Sequence, residues 1–143
     1  MRGFQPAQGY KNVNLPLRST KGSAGYDFEV WEDLTLPPGE IGLAKTGVKA
    51  YMNHDEVLKI YPRSSLPKKF GLTIPNNVGI IDSDYYGNDK NDGAIFIQLY
   101  NFTSSPVTIQ RGTRIAQGIF EKYLLTQDDC SSNTRNGGFG STG

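Results

Sequence analysis

Apolar residues along this chain recur at every second position or in short runs cut by Gly, Pro and Asn, and no stretch sustains helical spacing. Between Ala24 and Trp31, the residues Ala24, Tyr26, Phe28 and Val30 alternate with Gly25, Asp27 and Glu29, which predicts a half-buried strand. Leu34 to Leu36 predicts another, ended by the turn Pro37-Pro38-Gly39. The same reading predicts strands over residues 41–46, 48–51, 57–61, 72–74, 79–81, 94–102, 106–109 and 114–121. So many short strands point to an all-β sandwich, jelly roll or barrel. Asn88 to Gly93 reads as a polar hairpin loop, and residues 128–143 as a mobile arm.

One segment breaks the β pattern. Ser64-Ser65-Leu66-Pro67-Lys68-Lys69-Phe70-Gly71 predicts a short helix, with Ser64 capping its start, Pro67 in its first turn and Gly71 ending it in a left-handed conformation. A helix start offers unpaired N–H groups to anions, so Arg63, Ser64 and Ser65 read as a phosphate cradle; a capped connector with Arg63 paired to a carboxylate is the competing reading.

Composition narrows the picture. With 143 residues, 36% of them hydrophobic, the chain makes one domain, and a net charge of +1 lacks the excess of a general nucleic-acid or membrane-surface binder. The single cysteine, Cys130, allows no internal disulfide and no cysteine-rich metal cluster. There is no signal-like N-terminus and no apolar run long enough to cross a bilayer, so a soluble, cytoplasmic protein is expected.

Two further segments carry candidate chemistry. At Asn76-Asn77-Val78-Gly79-Ile80-Ile81-Asp82-Ser83-Asp84-Tyr85-Tyr86-Gly87 an apolar strand ends in carboxylates, a hydroxyl and phenols. Asp84 is expected to close a turn through backbone hydrogen bonds, whereas Asp82, after two isoleucines, stands where a carboxylate can orient a water or a sugar hydroxyl. The tail Arg135-Asn136-Gly137-Gly138-Phe139-Gly140-Ser141-Thr142-Gly143 combines flexible glycines with a guanidinium, a ring and hydroxyls, a mixture suited to grasping a nucleotide. His54 and Cys130 read as incidental surface residues.

Five separated segments resemble, in order, the signature motifs of the trimeric deoxyuridine triphosphatases, or dUTPases: Ala24-Gly25-Tyr26-Asp27-Phe28; Pro62-Arg63-Ser64-Ser65 through Lys69, Gly71 and Leu72; Gly79-Ile80-Ile81-Asp82 through Tyr85 and Gly87; Arg114-Ile115-Ala116-Gln117; and Arg135 through Gly143. The resemblance implies an all-β jelly roll or distorted barrel with one short helix, a core over about residues 1–127, and a C-terminal arm over about 128–143 that closes a neighbouring subunit's site in a homotrimer. It implies hydrolysis of dUTP to dUMP and pyrophosphate by attack of water on the α phosphorus, limiting uracil in DNA and supplying dUMP. Asp82 matches the catalytic carboxylate. Asn76, Gly79, Ile80 and Ile81 match the hairpin that reads uracil through backbone groups, Tyr85 the ring that leaves no room for a 2′-hydroxyl, and Phe139 the aromatic that stacks on the base. Arg63, Ser64, Ser65, Gln117, Arg135, Gly140 and Ser141 match the phosphate-facing and arm positions. Mg²⁺ is expected on the triphosphate, with Asp27 an outer-sphere partner at most; Asp27 ordering its turn or an interface, and Gln117 pairing with backbone, stay open.

The chain departs from the family pattern in three places: Arg135 stands one residue nearer Gly138-Phe139 than in many members, Tyr86 replaces a frequent arginine, and the Asn88 to Gly93 loop is longer. A dCTP deaminase relative is the enzymatic alternative, but Gln98 stands where that chemistry needs a glutamate, and an amide cannot transfer the proton. A nucleotide-gated regulatory binding protein of the same fold is the other. Bacterial and phage members share these features, so a bacterial or viral source is expected.

Overall fold

The computed structural model describes residues 1–132 together with Thr134, Arg135, Gly137 and Gly138. Eleven strands follow in chain order: β1 (Gly3–Pro6), β2 (Tyr26–Glu29), β3 (Leu34–Leu36), β4 (Ile41–Lys45), β5 (Val48–Tyr51), β6 (Glu56–Pro62), β7 (Leu72–Thr73), β8 (Gly79–Asp82), β9 (Phe96–Asn101), β10 (Val107–Ile109) and β11 (Arg114–Lys122). They form a four-stranded sheet in the order β2-β11-β6-β8, a three-stranded sheet β4-β9-β7, and the two-stranded pairs β1-β5 and β10-β3, all antiparallel. The expected all-β jelly roll stands, but its strands pair as four separate sheets and do not close into a barrel.

The alternation read from the sequence is what builds the core. Phe28 of β2, Leu58 and Ile60 of β6, Ile97 and Leu99 of β9, Ile109 of β10 and Ile115 of β11 turn inward and are buried together. Each such side chain contributes about 1.5–3 kcal/mol by leaving water. Gly118 of β11 lies on the same inner face, where an added Cβ would collide with Phe28 and Leu58.

Local chemistry differed from expectation at three points. The short helix is a single wide turn, Leu66–Phe70, with Ser65 and not Ser64 at its N-cap, and no side chain caps it; Pro67 in the first turn and left-handed Gly71 at the end are as the sequence implied. Asn88 to Gly93 is not a hairpin, because the flanking strands β8 and β9 lie in different sheets. It is a folded connection whose Asp92 accepts from Lys49 Nζ and the Gln8 N–H, both at 2.8 Å. Strand β1 was missed because Gly3-Phe4-Gln5-Pro6 is too short and too Pro-limited to read as a strand, and it is held by pairing with β5.

Candidate active site

Strand β8 lies at the end of its sheet, bonded to β6 on one side only. An edge strand keeps alternate peptide N–H and C=O groups without a strand partner, and here that edge borders a cleft of about 260 Å³. Gly79, Ile80 and Ile81 line it with Asn76, and Ile74, Phe96 and Ile97 supply apolar walls. The turn into β8 is tight: the Asn77 N–H donates to the Ile74 carbonyl at 3.0 Å, and Asn77 takes a left-handed φ of 65°. Peptide groups at fixed spacing between apolar walls suit a flat heterocycle read by its hydrogen-bonding edge.

Tyr85 closes the cleft from below. It ends a short helical turn (Ser83–Tyr85) and is buried, with its hydroxyl donating to the Ala94 carbonyl at 2.5 Å and accepting from Asn91 Nδ2 at 2.9 Å. Burial lifts its phenol above its ordinary pKa, against the opposing effects of the Asn91 bond and the Arg135 charge, so it is a neutral ring at neutral pH.

At the mouth, Asp82 and Asp84 project into solvent, and the arm returns to meet them. Arg135 donates from Nη2 to Asp82 Oδ2 at 2.6 Å and from Nε to Asp84 Oδ1 at 2.7 Å, with its guanidinium 5.8 Å from the centre of the Tyr85 ring. Asp84 is thus an ion-pair partner of the arm, where the sequence suggested a turn-closing residue. Gly138 lies so close to Tyr85 that a Cβ there would collide with the ring, which accounts for a glycine at that point of the arm.

The other expected site residues gather elsewhere. In the β2-β11-β6 register, Asp27, Gln117 and Tyr61 lie directly opposite one another and share one face. Arg63, just past β6, reaches back to Asp27 at 3.1 Å; Ser19 donates to the same carboxylate at 2.9 Å, and Arg114 stands 3.9 Å away. Gln117 Nε2 donates to the Pro62 carbonyl at 3.2 Å, and an added Cβ on buried Gly25 would overlap the Gln117 amide. Ser64 is exposed and Ser65 half-buried beside this rim. Both readings left open by the sequence are therefore occupied: Arg63 is paired with a carboxylate, and Gln117 with backbone.

A family model described as dUTPase matches residues 11–143. The chain belongs to the dUTPase family. It is 50% identical over 147 residues to the deoxyuridine 5′-triphosphate nucleotidohydrolase of Lactococcus lactis subsp. lactis, a match covering all of this chain and 98% of that protein. The crystal structure of a dUTPase from Streptococcus mutans superposes with a TM-score of 0.86 at 46% identity, over 87% of this chain and 98% of that one. A dUTPase from phage phi11 of S. aureus shares the fold at a TM-score of 0.77 and 20% identity, covering 99% of each chain.

Seen as a dUTPase, the single chain brings Asn76, Gly79, Ile80, Ile81, Asp82, Tyr85 and Arg135 to one cleft and sets Asp27, Arg63, Ser64, Ser65 and Gln117 on a separate rim. Phe139, Gly140 and Ser141 lie outside the described residues. Sequence reasoning missed Ile60, Ile74, Phe96 and Ile97 as cleft walls, since buried apolar positions read as core. Asp84 had a signal in its spacing of two from Asp82, which puts two carboxylates within reach of one guanidinium.

Proposed function

We propose that this dUTPase-family chain hydrolyses dUTP to dUMP and pyrophosphate. The observation that carries this reading is the cleft itself: an unpaired strand edge, the Tyr85 ring, and Asp82 with the arm's Arg135 at one mouth. The uracil edge meets the peptide groups of β8, which offer donors and acceptors in an order that cytosine would leave unpaired. Tyr85 packs against the deoxyribose. Asp82 orients a water, whose oxygen bonds to the α phosphorus while the bond from that phosphorus to the α–β bridging oxygen breaks. The water's proton passes toward Asp82 and pyrophosphate leaves.

In the free chain Arg135 is held by Asp82 and Asp84. Triphosphate oxygens compete for the guanidinium, so binding draws Arg135 onto phosphate and leaves the Asp82 carboxylate to the water.

Arg63, Ser64, Ser65 and Gln117 complete the phosphate side from another copy of the chain in a homotrimer. Their separation from the cleft within one chain supports this. In the trimer the arm, Arg135 included, leaves Asp82 and Asp84 of its own chain and, with Phe139, Gly140 and Ser141, closes over the nucleotide of a neighbouring subunit, so each cleft takes its Arg135 from another copy.

Mg²⁺ enters on the triphosphate as part of the substrate and neutralises its charge. The chain's carboxylates fit this, because Asp27 is taken up by Arg63 and Ser19 and, among the described residues, no cluster of His, Cys, Asp or Glu could hold a metal alone. Asp27 acts on the ion through water at most. Among the described residues no helix is long and apolar enough to cross a membrane.

Gln98 lines the cleft, and its amide offers no proton-transferring carboxyl for deamination. The test is pyrophosphate release with Mg²⁺ from dUTP, dCTP, dTTP and UTP, with ammonia followed for dCTP. Release from dUTP alone is expected; ammonia from dCTP, or silence on all four, overturns the reading.

A further inference from the structure

We propose that Asn91, on the long loop between Tyr85 and β9, is a positioning residue that holds the Tyr85 ring at the angle that rejects a 2′-hydroxyl. This role depends on Tyr85 facing the sugar, as proposed above, and adds what fixes the ring.

The loop is built around two amides. Asn88, 8% exposed, donates from Nδ2 to the Tyr85 carbonyl at 2.8 Å and to Asn91 Oδ1 at 2.7 Å, while its Oδ1 accepts the Lys90 and Asn91 N–H groups at 3.1 and 3.2 Å. Asn91 Oδ1 also accepts the Gly93 N–H at 3.1 Å. With its oxygen committed to the loop, Asn91 directs its Nδ2 at the Tyr85 hydroxyl. That hydroxyl has one proton and two lone pairs; it accepts from Asn91 and donates to Ala94, so both bonds come from the returning limb of one loop. The far end is pinned too. Asp92 sits at a left-handed φ of 62° and bonds Lys49, and at Gly93, with φ 89°, a Cβ would collide with the backbone of Tyr86 and Gly87.

Rejection of one added oxygen by contact needs a ring that does not yield. A phenol anchored only by packing can tilt and admit the hydroxyl, whereas one held at its far end by two hydrogen bonds must break one to do so. Loss of the Asn91 donor therefore relaxes sugar selection more than it weakens binding of the deoxynucleotide.

The test is kcat and KM for dUTP and for UTP in the wild type, Asn91→Ala, Tyr85→Phe and the double variant, with thermal unfolding of each. Asn91→Ala is expected to lower the dUTP-to-UTP ratio of kcat/KM by about fivefold, the worth of one buried hydrogen bond, mainly through faster turnover of UTP. Adding it to Tyr85→Phe should change the ratio no further, since both remove the same bond. A purely structural role would slow both substrates alike and leave the ratio in place. An unchanged ratio in a selective wild type, or effects that add, overturns the Asn91 role alone; a wild type that turns over UTP and dUTP equally removes the sugar role of Tyr85 and the Asn91 role with it. If Asn91→Ala does not fold, Asn91→Asp keeps the oxygen that Asn88 and Gly93 use while removing the donor, and the same fall in ratio is expected.

Discussion

The cleft at β8 and the rim at β2 and β11 are both made of residues matching family motifs, yet they are finished to different degrees. The cleft is assembled within one chain from strand-edge peptides, buried apolar walls and a ring held at its hydroxyl by two hydrogen bonds. The rim is a set of charges satisfied by each other, with Arg63 and Arg114 on Asp27 and Gln117 on a carbonyl. Recognition of a neutral base and sugar calls for a shape that exists beforehand, because its selectivity is steric and depends on paired polar groups. Recognition of a triphosphate calls for cations that can be released to it, and a parked arginine meets that need without leaving a half-buried charge alone.

The arm separates the two regions most sharply. Removal of residues 135–143 should reduce pyrophosphate release from dUTP to background while leaving the thermal midpoint nearly unchanged, because the core cluster and the side chains packed on it end at Phe120. A truncated enzyme at full activity would break the link between cleft and arm. Next in size, Asp82→Asn should lower kcat by about 10²–10⁴-fold with little change in KM. Its side chain is 52% exposed, so stability should hold. Normal turnover would remove Asp82 from the reaction.

How much of this was legible differs between the regions for physical reasons. Period-two alternation, together with short apolar runs cut by Gly, Pro and Asn, placed ten of the eleven strands; the alternation is legible because side chains on successive residues face opposite sides of a sheet. The cleft's polar members stood out as carboxylates and a phenol at a strand end, but Ile74 and Phe96 could not be told from core, since burial against a ligand and burial against protein select the same side chains. The pairing of Arg63 with Asp27 joins residues far apart in sequence, and only the β2-β11-β6 register brings them together. Asn91 was invisible as a positioning group because a loop of Asn, Asp, Lys and Gly has the composition of solvent-exposed chain. Its amide geometry, not its composition, gives it a role.

A third, smaller effect probes the rim. Asp27→Asn removes the charge that holds Arg63 and should lower stability by about 1.5 kcal/mol, the low end for a hydrogen bond to a charged group, because Arg63 is 30% exposed. Affinity for dUMP, which lacks the outer phosphates, should stay constant while KM for dUTP shifts. A change in dUMP affinity would mean that cleft and rim are one unit and not two.

The smallest effect is the most diagnostic of how the cleft's loop is held. Burial pushes the Asp92 carboxyl up, but the Lys49 bond, the Gln8 N–H and the Lys49 charge outweigh it and leave the pKa below the ordinary aspartate value. A group with a depressed folded pKa stabilises the native state above its unfolded pKa, about 3.9, and loses that contribution as pH falls through the folded value. Wild type should therefore be more stable than Asp92→Asn near neutral pH, and the gap between their thermal midpoints should close below about pH 4. Asn adopts a left-handed backbone readily, so the φ of 62° at this position adds no strain to the comparison. Glu56, whose pKa is held down by its bonds from Arg2 and the Asn53 N–H, titrates in the same direction, but it is present in both proteins and cancels in the difference. A gap that persists in acid would show that packing, and not the Lys49 ion pair, pins the loop that carries Asn91.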